Sequence, residues 1–126
     1  MKFHPAIIFV ITSAFFFAGC KTTDPIVGME GQYSCEGTNP FWKLDISKEA
    51  ISFALLSEAK EVFPYKAPVA ADDRQLFLTS RETAEGKVWL KVSIEESSCF
   101  NSAAGKKFPY KVEVDYNGEI YYGCGQ

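Results

Sequence analysis

Hydrophobic and polar residues alternate along several segments of the chain. Between positions 41 and 47, the hydrophobic side chains of Trp42, Leu44 and Ile46 are separated by polar ones, and the segment 88–95 repeats the pattern. A period of two is typical of antiparallel strands that have one buried and one solvated face. Further segments of this kind are 32–35 and 75–81. Turn residues separate these segments, so the sequence predicts a mainly β domain.

The end of the chain predicts a β-hairpin. Residues 110–116 and 119–124 flank the dipeptide Asn117-Gly118. A type I′ turn requires positive φ at both central residues, and Asn and Gly adopt that conformation most readily. In this register, Val114 lies opposite Tyr121.

One segment in the middle of the chain permits two interpretations. Ser47 can cap a helix in which Ile51 and Leu55 lie four residues apart, although alternate residues there are also hydrophobic, as in a strand. We favour a strand over 51–56, followed by a short helix over Ser57–Val62. The predicted fold is therefore a small antiparallel barrel or a curled meander sheet with a short helical turn.

The first 20 residues carry a signal for export and lipidation. Lys2 precedes an apolar run that ends in Phe17-Ala18-Gly19-Cys20. The run is shorter than the roughly 18 to 20 residues that span a bilayer, and small residues before a cysteine are typical of a bacterial lipoprotein cleavage site. Cleavage after Gly19 would make Cys20 the lipidated first residue. The alternative is an ordinary signal peptide, with Cys20 free or disulfide-bonded.

The chain is therefore expected to comprise a lipoprotein signal peptide over 1–19, a lipidated cysteine and tether over 20–31, and a single domain over 32–126. Removal of the signal peptide leaves 107 of the 126 residues, enough for one modest core. Lys21 follows the cysteine. In the enterobacterial sorting scheme that such lipoproteins resemble, Asp at this position retains the protein in the inner membrane, so Lys21 predicts an outer-membrane anchor facing the periplasm.

Charge and composition exclude several classes of function. The formal net charge of −3 becomes −4 when Lys2 is removed with the signal peptide. Such an acidic domain does not suit nucleic acid, which requires a basic surface. The only histidine, His4, also lies in the signal peptide. The domain therefore lacks the usual base of Ser and Cys nucleophiles and the usual ligand of zinc and haem, and we expect no catalytic residues, metal or cofactor.

Three cysteines remain once Cys20 carries lipid, and they allow one disulfide in an oxidising compartment. A bond between Cys99 and Cys124 closes a loop of about 25 residues, which the chain-entropy model values at roughly 3.5 kcal/mol. A bond between Cys35 and Cys124 is the alternative, since it would join the first and last strands.

Several motifs resemble those of a family of bacterial envelope lipoproteins that has no agreed activity. The segment Tyr33–Ile46 reads YSCEGTNPFWKLDI, and CFNS, FPYKVEV and a terminal GCG follow it in order. The family carries Gly-x-x-Pro-Phe-Trp, a later Cys-x-Asp-x-Met-Ser, a Pro-Tyr strand and a Gly-Cys ending. The matching residues here are Gly37, Pro40, Phe41, Trp42, Cys99, Ser102, Pro109, Tyr110, Gly123 and Cys124. The resemblance implies an envelope location, and it favours the Cys99–Cys124 disulfide with Cys35 left free.

The sequence departs from this family where acidic residues are usual. Thr38-Asn39 replaces Asn-Glu, and Asn101 replaces an Asp. The family's Met before Ser is also missing, and Ala103-Ala104 follows Ser102. The loss of two acids weakens any expectation of carboxylate chemistry or metal binding in this chain.

The segment 39–42 has a structural and a functional interpretation. An Asn before a Pro initiates a turn, after which the Phe and Trp side chains can enter the core. The functional alternative places one of these aromatic rings on a binding surface, with polar side chains beside it. Phe100 is either a buried plug or an exposed recognition residue. The candidate binding surface comprises Asn39, Phe41, Trp42, Phe100, Asn101 and Ser102.

These observations favour a non-enzymatic binding or structural module that is anchored to the membrane through Cys20. Its partner would be an envelope protein or a cationic protein such as lysozyme, because a domain of net charge −4 attracts cationic molecules. Inhibition of lysozyme is therefore the main alternative function. An envelope enzyme that uses the thiol of Cys35 is a further and weaker alternative.

Overall fold

Nine strands form one antiparallel sheet in the computed structural model, which describes residues 32–56 and 58–126. The strands are β1 (Tyr33–Thr38), β2 (Phe41–Ile46), β3 (Ile51–Leu55), β4 (Glu61–Phe63), β5 (Val69–Ala71), β6 (Arg74–Thr83), β7 (Gly86–Asn101), β8 (Lys106–Tyr116) and β9 (Glu119–Gly125). Their order across the sheet is β4-β3-β2-β1-β9-β8-β7-β6-β5. Strands that are consecutive in sequence are mostly neighbours, and pairing of β1 with β9 joins the two halves of the sheet.

The sheet curls until side chains of β4 and β6 meet across its concave face. The guanidinium of Arg81 pairs with the carboxylate of Glu61 at an Nη2–Oε1 distance of 2.7 Å. The hydroxyl of Thr79 donates to the carbonyl oxygen of Pro64 at 2.6 Å. Within the described residues, the edge strands β4 and β5 do not pair, so the sheet is not closed into a barrel. The predicted curled meander is confirmed, and the barrel alternative is wrong.

Alternate residues of the strands fill the concave face with the hydrophobic core. The predicted pattern in β2 is confirmed, since Trp42, Leu44 and Ile46 are at most 2% exposed. The ring centroid of Phe53 lies 6.2 Å from that of Trp42 and 5.2 Å from that of Tyr116. Each such buried side chain contributes about 1.5–3 kcal/mol through the removal of apolar surface from water.

The C-terminal hairpin is confirmed in both its turn and its register. Asn117 and Gly118 have φ values of 49° and 96°, as a type I′ turn requires. Val114 pairs with Tyr121. Strand β8 begins at Lys106, which is earlier than the sequence pattern indicated.

The middle segment forms strands and no helix. The strand interpretation of 51–56 is confirmed by β3, which pairs with β2. The predicted helix over Ser57–Val62 is wrong for the part that the structure describes, because Glu61–Phe63 is the strand β4. Pairing with β3 buries Phe63 completely and leaves Val62 exposed. Burial in the tertiary structure therefore outweighs the local preference for a helix in this segment.

The predicted signal peptide, Cys20 and the tether up to residue 31 lie outside the described residues. Within the described ranges, no helix is long and apolar enough to cross a membrane.

One disulfide, Cys99–Cys124, connects the end of β7 to the end of β9. Its Cα atoms are 5.6 Å apart, and Cys35 is free and buried. The alternative Cys35–Cys124 pairing is therefore wrong.

Removal of this disulfide is expected to lower the free energy of unfolding. The double variant Cys99→Ala/Cys124→Ala should lose roughly 3.5 kcal/mol, because the unfolded chain regains the entropy of a loop of sequence separation 25. Urea unfolding measures this loss. Dithiothreitol provides the control, since it should lower the stability of the wild-type protein to that of the variant and leave the variant unchanged. A loss below about 1 kcal/mol would contradict this role of the disulfide.

Candidate functional site

A bend in β7 creates the most distinctive surface feature of the domain. The pairing of β7 with β8 shifts register between Glu96 and Cys99. Beyond this bulge the two strands turn toward β9, where Cys99 is bonded to Cys124. Cys124 pairs with Glu36, whose neighbour Cys35 belongs to the core, so the side chains of Glu36 and Cys124 lie on the convex face. Residues 97–108, hereafter the hairpin arm, therefore fold over the convex face of the sheet.

A groove of about 340 Å³ separates the hairpin arm from the sheet. This volume is at the lower end of the range of small-molecule sites, about 300–1,000 Å³. The hairpin arm provides one wall with Phe100, Asn101 and Ser102. The sheet provides the rest of the lining with Glu36, Gly37 and Thr38 of β1, Lys111 and Val112 of β8, and Tyr122 and Gly123 of β9, beside the disulfide.

Trp42 supports the floor of this groove from the concave side. Its indole Nε1 donates to the carbonyl oxygen of Tyr122 at 3.3 Å. The ring lies against Gly37 and Gly123, where a Cβ atom would overlap the indole or the neighbouring backbone. The two glycines thus allow the ring to pack directly on the backbones of β1 and β9. The motif residues Gly37, Trp42 and Gly123 form one structural unit, which we call the tryptophan clamp.

Asn101 positions the wall of the groove through both ends of its side-chain amide. Its Oδ1 accepts hydrogen bonds from the backbone N–H groups of Ala103 and Ala104, at 3.0 and 3.1 Å. This arrangement fixes the turn at the tip of the arm. Its Nδ2 donates a long hydrogen bond of 3.5 Å to Glu36 Oε1. Asn101 is only 7% exposed, so it acts mainly as a link between the arm and the sheet.

The structure brings together half of the predicted binding surface. Phe100, Asn101 and Ser102 line the groove, and Phe100 is 65% exposed, so its interpretation as a buried plug is wrong. Asn39 is exposed and lies in the turn beside the groove-lining residue Thr38.

The two aromatic residues of the motif have opposite environments. The interpretation in which Phe41 enters the core is wrong, because Phe41 is 47% exposed, pairs with Thr38 and points to the convex face. Trp42 is 1% exposed, so it cannot belong to a binding surface and serves the core instead. Their opposite directions follow from the alternation of side chains in a strand.

The sequence did not indicate the groove residues Glu36, Thr38, Lys111 and Tyr122. Tyr122 is 69% exposed. The alternation within β9 was an available signal, because Tyr122 is on the same side as Cys124 and opposite to the core residue Tyr121. The groove itself could not be predicted, because β1, β8, β9 and the arm come together only in the tertiary structure.

The free thiol of Cys35 is not placed for nucleophilic chemistry. Its side chain is buried against the backbone of Gly125 and against Val112. Burial raises the pKa of Cys35 from 9.0 to about 12, with a smaller contribution from the negative charge of Asp45. The thiol is therefore protonated at neutral pH, whereas reactive cysteines are thiolates.

Cys35 is expected to resist alkylation and to make the domain sensitive to alkali. Native protein should show no iodoacetamide adduct on Cys35 by intact mass, and urea-unfolded protein should be labelled fully. Above pH 9 the unfolded chain loses the thiol proton that the folded domain keeps, so the free energy of unfolding should fall as the pH rises from 9 toward 12. Urea titrations across this range measure the slope. A Cys35→Ala variant should show a flatter slope, and rapid native labelling would contradict this environment.

Within residues 32–56 and 58–126, no three His, Cys, Asp or Glu side chains lie close enough together to hold a metal ion. No protein-family model matches the sequence, and no curated protein or solved structure matches it significantly. The resemblance to envelope lipoproteins therefore stays a prediction, and the function is argued from the groove and the sequence signal.

Proposed function

We propose that this protein is a lipid-anchored binding module of the bacterial cell envelope. Cys20 would carry the lipid and attach the protein to the outer membrane on its periplasmic side. The domain from residue 32 onward would present the convex-face groove to its ligand. The proposed role is non-enzymatic, because it requires recognition by the groove and uses no reactive group.

The observation that carries this proposal is the exposure of aromatic rings at the groove. Phe100 and Tyr122 both line it, and Phe41 lies beside it on β2. Aromatic side chains gain much free energy from burial, so a cluster that stays exposed at a concavity is typical of a recognition site. The disulfide and the tryptophan clamp hold the groove in place from two sides, which lowers the conformational entropy cost of binding.

The lipid anchor is tested by substitution of Cys20 in the full-length protein. The wild-type protein should incorporate an alkyne analogue of palmitate and sediment with outer membranes. Cys20→Ser should abolish the label and slow signal-peptide cleavage, and Cys35→Ala should leave both unchanged. A Lys21→Asp variant should move the protein to the inner membrane. Equal labelling of wild type and Cys20→Ser would contradict the anchor.

The hypothesis that the protein inhibits lysozyme is tested separately. The purified lipoprotein in detergent micelles should leave the hydrolysis of cell walls by lysozyme unchanged if the module has another ligand. Submicromolar inhibition that depends on Phe100 would instead identify the enzyme as the partner of the groove.

A further inference from the structure

The chemistry of the groove distinguishes between classes of ligand. The lining of the groove includes one carboxylate, that of Glu36, and one ammonium, that of Lys111. These two residues pair with Cys124 from the two neighbouring strands. Thr38 and Ser102 add hydroxyl groups, which both donate and accept hydrogen bonds. A phosphate or an acidic ligand would require an excess of basic groups, and a strongly cationic ligand an excess of acidic ones. The balanced lining suits an uncharged ligand with many polar groups.

The exposed aromatic residues require that the ligand have apolar surface as well as polar groups. Phe100 on the arm and Tyr122 on β9 both line the groove and are both exposed. A ligand that fits must offer flat apolar faces to these rings and hydroxyl or amide groups to the polar side chains between them. A pyranose ring has both, because its axial C–H bonds form an apolar face and its hydroxyl groups lie around the edge. The groove is open to solvent, so it can hold a few rings of a longer chain.

We propose that the groove between the hairpin arm and strands β1, β8 and β9 binds a carbohydrate chain, with its sugar rings packed against Phe100 and Tyr122. This inference rests on the proposed function and specifies the ligand class of the same groove. One carboxylate oxygen of Glu36 accepts a hydrogen bond from the Asn101 amide. In the proposed complex, the carboxylate also accepts hydrogen bonds from sugar hydroxyls.

Calorimetric titration of the mature lipoprotein in nanodiscs tests the proposal, with cellotetraose and tetra-N-acetylchitotetraose as probes. Binding of at least one glycan is expected, and the affinity should be nearly insensitive to salt because the ligand is uncharged. Phe100→Ala and Tyr122→Ala should each weaken binding by about threefold to tenfold, as expected for the loss of one ring contact. Trp89→Ala is the matched control, because Trp89 is also an exposed aromatic residue but does not line the groove.

The polar contacts are tested by a pair of substitutions at Glu36. Glu36→Ala should weaken glycan binding more than Glu36→Gln, because the amide oxygen of Gln still accepts a hydrogen bond from a sugar hydroxyl. Circular dichroism and urea unfolding verify that each variant keeps its fold.

Two results would overturn the carbohydrate inference. One is no binding of either glycan to folded wild-type protein at millimolar concentrations. The other is binding that Trp89→Ala weakens as much as Phe100→Ala does. The proposed function is distinguishable from this inference, because a protein crosslinked specifically to the groove in cells would preserve the binding module and exclude its carbohydrate ligand.

Discussion

Trp42→Ala is expected to destabilise the domain by about 3–5 kcal/mol, a large part of the 5–15 kcal/mol that holds a domain of this size folded. The indole is the largest fully buried side chain, and it contacts Phe53 as well as the backbones of β1 and β9. Its removal leaves a cavity at the junction between the two halves of the sheet. The carbonyl of Tyr122 also loses its indole donor.

Urea unfolding of Trp42→Ala, Trp42→Phe and Trp89→Ala measures this effect. Trp42→Phe should cost less than Trp42→Ala, since it keeps most of the buried volume and loses the hydrogen bond. Trp89→Ala should change the free energy of unfolding by about 1 kcal/mol or less, because Trp89 is 46% exposed and its ring lies 5.2 Å from the ammonium of Lys87. Equal effects of Trp42→Ala and Trp89→Ala would contradict the clamp.

Gly123→Ala is expected to cost about 3 kcal/mol, at the upper end of the range for overpacking. A Cβ at this position would overlap the carbonyl oxygen of Glu36 and would lie 2.6 Å from Trp42 Cζ2. The carbonyl belongs to the backbone of β1, so strands β1 and β9 would have to separate. The domain is sensitive at this position because few residue pairs join β1 to β9.

Gly125→Ala provides the matched control for the same strand. Its Cβ would meet the side chains of Cys35 at 2.8 Å and Val112 at 3.0 Å, and side chains can shift more easily than backbone. We expect a loss of about 1–2 kcal/mol, clearly smaller than that of Gly123→Ala. Thermal and urea unfolding of both variants would test this order, and a Gly123→Ala protein as stable as wild type would contradict the close approach of the strands.

The strands that sequence reasoning predicts best are those with strict alternation and a strong turn signal. Trp42, Leu44 and Ile46 define the buried face of β2, and Asn117-Gly118 fixes the hairpin of β8 and β9. In these elements, local chemistry and tertiary burial favour the same conformation. The resemblance favoured a disulfide between Cys99 and Cys124, and the structure confirms this pairing.

Prediction failed where distant pairing decides the structure. Strand β4 has only three residues and forms because β3 offers Phe63 a buried position, which no local pattern shows. The groove depends on the pairing of Glu36 with Cys124 and on the bulge in β7, so residues 36 and 122 become neighbours of Phe100 only in the folded domain. The sequence motifs included Phe100, Asn101 and Ser102, which line the groove, whereas the direction of each side chain depends on how the strands pair.

The tryptophan clamp and the groove have separate roles in this account. Gly37, Trp42 and Gly123 stabilise the junction of β1 and β9 from the concave side. Phe100 and Tyr122 are exposed on the convex side and contribute little to stability. Substitutions in the clamp should therefore lower the amount of folded protein, while substitutions in the groove should lower binding at constant stability.

Site-specific photocrosslinking in the producing cell tests the central claim most directly. Full-length protein with p-benzoylphenylalanine at position 100 or 122 should form adducts on irradiation, because these positions line the groove. The same residue at position 89, an exposed aromatic position outside the groove, should form none. Adducts confined to positions 100 and 122 are the result that a binding groove predicts. Equal adduct yields at all three positions, or no adduct at any, would contradict it.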